Sequence, residues 1–312
     1  MSRRIAALAA VLLLSACAAE APPPPREEIP HGYVEGAQEM AEAQSRLVVA
    51  DESGAVRVVD LVTEEVTELG SVPGVDAIRG DGRYAYLTDG DAVHVVDSGA
   101  WQVDHGDHVH YYRAEPRPVA SAPDDEDIDL AAIGVPCQAA GAPVETRRGV
   151  VFGCADGALL VTEDRTGTKI PYPTTEAGPA QALTNRRTST TLAGVAPGHG
   201  VWVLDVTQRA WTLVPTGPVV AANTAGEGAP LLTITADGVL HAFDIATGAE
   251  STSRPLLTAP VGSPVIEVDP ARAYVNDAAG RRVHEIDYND DLRVARTFPL
   301  DVAPAHMVET GR

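Results

Sequence analysis

Val56-Arg57-Val58-Val59-Asp60, Val93-His94-Val95-Val96-Asp97, Val201-Trp202-Val203-Leu204-Asp205, Leu240-His241-Ala242-Phe243-Asp244 and Val283-His284-Glu285-Ile286-Asp287 are one pattern written five times. Each is a short run of strand-forming residues closed by an acid. Leu159-Leu160-Val161-Thr162-Glu163 is a degenerate sixth copy, and the terminal acids are 37, 66, 42, 39 and 43 residues apart. Ahead of most copies stands another apolar run and a tight turn: residues 47–50 then Ser53-Gly54, 84–88 then Asp89-Gly90, and 150–153 then Asp156-Gly157. The same arrangement recurs at 231–235 with Asp237-Gly238 and at 273–276 with Ala279-Gly280. The unit reads strand, hairpin, strand, turn, polar strand, which is a four-stranded antiparallel blade. A period near 40 residues predicts an all-β chain folded as a β-propeller of about six four-stranded blades. The run Ala305-His306-Met307-Val308 reads as the inner strand that the first blade lacks, so the propeller is expected to close through its C-terminal strand.

Composition agrees with many short strands and turns. The 312 residues include 28 Gly and 24 Pro but only 4% aromatic residues, and the 45% hydrophobic content is enough for a packed core. Against 23 Lys+Arg stand 44 Asp+Glu, a formal net charge of −21. Such a chain repels a phosphate backbone, which excludes nucleic-acid partners and a basic lipid-docking face but leaves cations as ligands.

Residues 1–16 read as a signal peptide. Arg3 and Arg4 precede an apolar run too short to span a bilayer, and Leu14-Ser15-Ala16-Cys17 looks like a bacterial lipobox with Cys17 as the lipidated residue. Cleavage there takes away two Arg and no acid, moving the charge from −21 to −23. Residues 17–30, with Pro22-Pro23-Pro24-Pro25, form a stiff Pro-rich linker, and 31–312 the propeller domain. The chain is therefore expected outside the cell membrane, tethered to it by a lipid anchor. Cys137 and Cys154 remain; in an oxidising exterior a disulfide is the default, with a thiolate metal pair as the rival.

The long interval of 66 residues holds an insertion between Asp104 and Pro136, and it opens Trp101-Gln102-Val103-Asp104-His105-Gly106-Asp107-His108-Val109-His110-Tyr111-Tyr112. Three of nine His fall within six positions, with the carboxylate of Asp107 among them and that of Asp104 just before. Along an extended strand Asp104, His108 and His110 would share a face, and Gly106 permits a bend bringing His105 round to join them. Imidazole and carboxylate donors suit Zn²⁺. His105, His108, His110 and Asp107 are thus the candidate metal ligands, with Asp104, His31 and His199 as further possibilities. A solvated polar loop is the plain alternative. Asp124-Asp125-Glu126-Asp127 and Asp129 read as a solvated acidic loop, and His94, His241 and His284, at equivalent strand positions, as outward-facing or structural blade residues.

These residues resemble a family. His105-Gly106-Asp107-His108-Val109-His110-Tyr111-Tyr112, with Phe152-Gly153-Cys154-Ala155-Asp156-Gly157, Lys169-Ile170-Pro171-Tyr172-Pro173, Asp237-Gly238-Val239-Leu240-His241 and Val294-Ala295-Arg296-Thr297, is similar to the AztD-type zinc metallochaperones. The resemblance implies an extracytoplasmic β-propeller that captures zinc and hands it to the solute-binding protein of a zinc ABC transporter, and it implies no catalysis. Where that family carries His-Gly-Glu-Ala after its first Cys, this chain has Gln138-Ala139-Ala140-Gly141-Ala142. That departure favours a second reading, a metal-free propeller lipoprotein acting as a protein-interaction scaffold. A third, a propeller hydrolase with a central metal, finds no nucleophile elbow, phosphate loop or haem-attachment pair in the sequence.

Overall fold

Five of the six repeated runs are the third strand of a four-stranded antiparallel sheet, and the run 201–205 is the middle strand of a three-stranded one. In four of the six the closing acid anchors the turn that follows. Asp60 Oδ1 accepts the amides of Val62 and Thr63 (3.0 and 2.9 Å), Asp97 Oδ1 that of Gly99 (3.0 Å), Asp205 Oδ1 that of Gln208 (2.8 Å) and Asp244 Oδ1 that of Thr247 (2.7 Å). These four acids are therefore turn-closing groups, because a short carboxylate reaches backbone N–H groups two or three residues on, whereas Asp287 pairs with Arg272 and Arg293.

A computed structural model describes residues 32–90, 92–120, 128–138, 141–174, 176–258 and 262–312. The leader, Cys17, the linker, His31 and the acidic run 124–127 lie outside the described residues. The first sheet is ordered His306–Thr310, Arg46–Ala50, Ala55–Asp60, Val66–Ser71 from inside to outside. The second runs Ala77–Gly80, Tyr84–Asp89, Ala92–Asp97, Arg117–Val119, and the third Val144–Thr146, Gly149–Cys154, Gly157–Val161, Gly167–Pro171. The fourth is Thr191–Ala196, Gly200–Asp205, Ala210–Val214. The fifth is Ala221–Thr224, Leu231–Ile234, Val239–Phe243, Glu250–Pro255, and the sixth Ile266–Val268, Ala273–Asp277, Arg282–Asp287, Arg293–Pro299. Six propeller blades follow from six repeats, as expected. The fourth differs in having three strands; its inner edge carries the Thr184–Ala193 bridge and the Gln181 amide on Val195, while the preceding Ala180 amide is taken by the Tyr172 hydroxyl.

Strands buried on both faces read as continuous apolar runs. Leu47 and Val49 pack against Tyr274, Val283 and Phe298 of the sixth sheet, whereas Val48 and Ala50 of the same strand pack against Ala85 and Leu87 of the second. The C-terminal strand follows the same alternation, with Met307 in the first of these cores and Val308 in the second. It pairs antiparallel with Arg46–Ala50 in the register Val48–Val308, so it supplies the inner strand that the first sheet lacks, as expected. Shared cores likewise join third to fourth, fourth to fifth and fifth to sixth sheets. The third sheet's other face, with Phe152, Leu159 and Val161, is covered by Ile128, Leu130, Ile133, Val135 and Cys137. That covering segment holds the helical turn Leu130–Ile133, capped by the Asp129 carboxylate, and is tied down by the Cys137–Cys154 disulfide. Among the described residues no helix is long and apolar enough to cross a membrane.

Candidate metal centre

Part of the excess length of the second repeat is a hairpin, Ala100–Asp104 with Val109–Arg113, inserted between the third and fourth strands of the second sheet. A short N-terminal strand, Gln38–Met40, pairs with its outer side to make a separate three-stranded sheet.

The base of the hairpin is fixed. Trp101 and Tyr112 are buried and stack at 5.3 Å between ring centroids, and Trp101 Nε1 donates to the Gly32 carbonyl (3.0 Å). The Arg83 guanidinium lies 3.7 Å over the Trp101 ring while pairing with Asp97 at 2.7 Å. Arg113, the last residue of the hairpin, reaches Asp60 Oδ2 (2.7 Å), which also receives the buried Arg46 (3.1 Å). Burial alone would raise the Asp60 carboxyl, but the Thr63 amide and the two guanidinium groups outweigh it and hold it below the ordinary range. Burial in turn lowers Arg46, which donates to the carbonyls of Ser98 and Ala114 on either side of the hairpin.

The tip carries the chemistry. Residues 105–108 form the turn, closed by the His105 amide on the His108 carbonyl (2.9 Å), and Gly106 takes φ +86°. Asp104 Oδ1 accepts the Gly106 amide at 2.7 Å. This turn brings His105 back over the hairpin: its ring stacks on His108 at 4.8 Å and meets His110 edge-on at 5.3 Å. One nitrogen of each of His105, His108 and His110 lies within 4.8 Å of the others. His108 Nε2 and His110 Nε2 are 3.1 Å apart. Each of these two rings has a carboxylate behind it: Asp107 Oδ1 is 2.7 Å from His108 Nδ1, and Glu39 Oε1 is 2.6 Å from His110 Nδ1. The hydrogen bond to His108 holds the exposed Asp107 carboxyl below its usual range. A ring whose Nδ1 donates to a carboxylate presents its Nε2 lone pair forward. Two such lone pairs at this distance call for a proton or a cation between them. Tetrahedral Zn²⁺ with Zn–N bonds of about 2.0–2.1 Å sets its ligand nitrogens about 3.3 Å apart.

The structure separates the sequence candidates. His105, His108 and His110 come together, and Asp107 stands behind one ring. Asp104 does not share a face with His110, because the turn reverses the chain and sets Asp104 opposite Val109 and Val103 opposite His110. Simple strand alternation fails here for that reason. His199 sits on the turn between Gly200–Asp205 and the strand before it, its Nδ1 3.0 Å from the Pro197 carbonyl, and it is not part of the cluster. His94 and His241 pair with Asp89 and Glu250 at 3.1 Å, and buried His284 with Thr297 at 3.2 Å, away from the cluster. Glu39 is the residue that sequence reasoning missed. Gln38-Glu39-Met40 is too short and polar to signal a strand, and only its pairing with Tyr111–Arg113 brings the carboxylate to His110.

No protein-family model and no curated protein matches the chain. Among solved structures it is similar to AztD from Citrobacter koseri, with a TM-score of 0.69 and 17% identity over 86% of this chain and 98% of that one. The chain has the AztD fold. Apo AztD from the same organism superposes with a TM-score of 0.67 and 16% identity, covering 86% and 98% of the two chains. Hsv2 from Kluyveromyces lactis, with its loop 6CD replaced by a Gly-Ser linker, is more distant, at a TM-score of 0.52 and 11% identity over 81% and 95%. At such identities the likeness to AztD is one of architecture, and the chemistry rests on this chain's own residues.

Proposed function

We propose that this protein is a non-enzymatic zinc carrier that holds Zn²⁺ on His105, His108 and His110 and passes it to the solute-binding protein of a zinc ABC transporter. The convergence of three imidazoles on the exposed tip of a rigidly seated hairpin carries this reading. Three nitrogens leave a fourth position for water or an incoming ligand, which is what stepwise exchange with a partner requires. In this reading Asp107 orients His108 from behind and captures cations by its charge. The pairing of Cys137 with Cys154 consumes the remaining thiols, so the site is built from imidazole. The AztD architecture supports the same assignment, and in this reading the leader ending at Cys17 would export the carrier and tether it by lipid.

Equilibrium dialysis against Zn²⁺ tests it. The wild-type chain is expected to bind one ion, and the His105/His108/His110 triple-alanine variant to bind it at least about 100-fold more weakly. Because an imidazole must be neutral to bind metal, protons compete with the ion, and affinity is expected to fall steeply on mild acidification. A triple variant that retains wild-type affinity sinks the assignment and leaves the metal-free scaffold.

A further inference from the structure

We propose that Glu39 is a positioning residue that couples the docking of the N-terminal strand to ion capture by the histidine cluster. The proposal rests on the zinc reading above.

Glu39 belongs to a different part of the chain from the histidines, 71 residues before His110. It reaches the cluster only while Gln38–Met40 is paired with Tyr111–Arg113. That docking is slight: the strand has three residues, two of them exposed, and ends on half-buried Met40. The carboxylate nonetheless makes the shorter of the two contacts behind the rings, 2.6 Å against 2.7 Å. It is also the more sheltered, with 44% of the Glu39 side chain and 24% of the His110 side chain exposed, against 84% and 55% for Asp107 and His108. A hydrogen bond from Nδ1–H to Glu39 selects the tautomer that aims the His110 Nε2 lone pair at His108, and it stops the ring from turning away.

Coupling of this kind is reciprocal. If the docked strand raises the affinity of the cluster for Zn²⁺ by some factor, bound Zn²⁺ tightens the strand by the same factor. Peeling Gln38–Met40 from the hairpin removes the carboxylate and weakens the ion's hold without disturbing any blade. The strand is thus a release element, and a partner that competes for the exposed hairpin edge lowers zinc affinity as it docks.

The test uses the full chain, with Zn²⁺ alone as probe. In the metal-free protein, nitrogen NMR of the His110 ring should show the Nδ1–H tautomer in the wild type, lose that preference in Glu39→Ala and recover it in Glu39→Gln, whose carbonyl still accepts the bond. Zinc affinity should fall about 10- to 100-fold in Glu39→Ala, with Gln38→Ala as an unchanged control on the same strand. Hydrogen exchange at 38–40 should slow on zinc addition in the wild type and not in Glu39→Ala. A Glu39→Ala variant with wild-type zinc affinity, or with an unaltered His110 tautomer, overturns the proposal. A wild-type chain that binds no zinc overturns the carrier reading and with it the coupling, while the ring spectra still decide whether Glu39 sets the tautomer.

Discussion

Gly54 shows how a single backbone position carries the blade. It turns the first sheet's hairpin at φ +89°, and a Cβ there would stand 2.0 Å from the Val72 carbonyl oxygen, a backbone atom that cannot step aside. Gly90 occupies the matching turn of the second repeat at φ +60° with open space around it. Gly54→Ala is therefore expected to cost about 2–4 kcal/mol, and Gly90→Ala only about 1 kcal/mol for the left-handed backbone. Equal losses in chemical denaturation would show that conformation rather than the close approach decides. The repeated acids act at this same scale: Asp60 closes its turn through Oδ1 and binds Arg46 and Arg113 through Oδ2, serving both the fold and the hairpin seat.

At the scale of the element, the hairpin works because its two ends are unlike. Its base is packed as tightly as a core, with Trp101 held by Tyr112, Arg83 and the Gly32 carbonyl, while its tip stands in solvent. Side chains at the tip hold their relative positions only if the strands below them do. Trp101→Ala removes a large buried ring and is expected to speed hydrogen exchange across 100–113 and to weaken zinc binding by about 10-fold or more. Exchange in strands 191–243, which share no core with Trp101, should not change. Loss of protection in both regions would mean that the hairpin is part of the global folding unit. The period in the sequence pointed to the right interval, because an extra hairpin lengthens one interval without disturbing the others, but it set the start of the insertion at Asp104 where the hairpin begins at Ala100. It placed the faces incorrectly, because residues on either side of a turn belong to opposing strands, and Asp104 is set opposite Val109 only by that reversal.

For the whole molecule, the inner strands carry a pH dependence. Glu267 and Glu309, on the inner strands of the sixth and first sheets, are both pushed up to about 8 by burial; nearby Asp269 adds to the effect at Glu309. Across the interval from about 4.5 to 8 the folded chain keeps these protons and the unfolded chain has lost them. Their contribution is therefore fully present below the unfolded value and disappears as pH rises toward 8. The opposite slope comes from groups such as Asp60 and Asp277, whose folded values are lowered and whose stabilisation is lost in acid. His284 adds to that slope, since burial lowers it and its unfolded form gains a proton below about 6.5. Stability is expected to peak on the mildly acidic side of neutral. Glu267→Gln should raise stability at pH 8 by about 1–3 kcal/mol, change little at pH 5 and flatten the slope between. An unchanged slope would show that Glu267 is ionised in the fold.

The sequence alone determined the propeller repeat of about six blades, the C-terminal strand as the inner strand of the first sheet, the interval that holds the insertion and the three histidines at its tip. All of these are local or periodic: alternation, turn residues and spacing are written along the chain and need no partner to be read. Tertiary structure decided which carboxylates serve the rings. Glu39 and His110 are 71 positions apart in the chain, Glu39 sits in a strand too short to announce itself, and the two meet at 2.6 Å only because strand pairing folds one segment onto the other. Long-range pairing of that kind leaves no periodic mark, so its geometry exists only once the chain has closed upon itself.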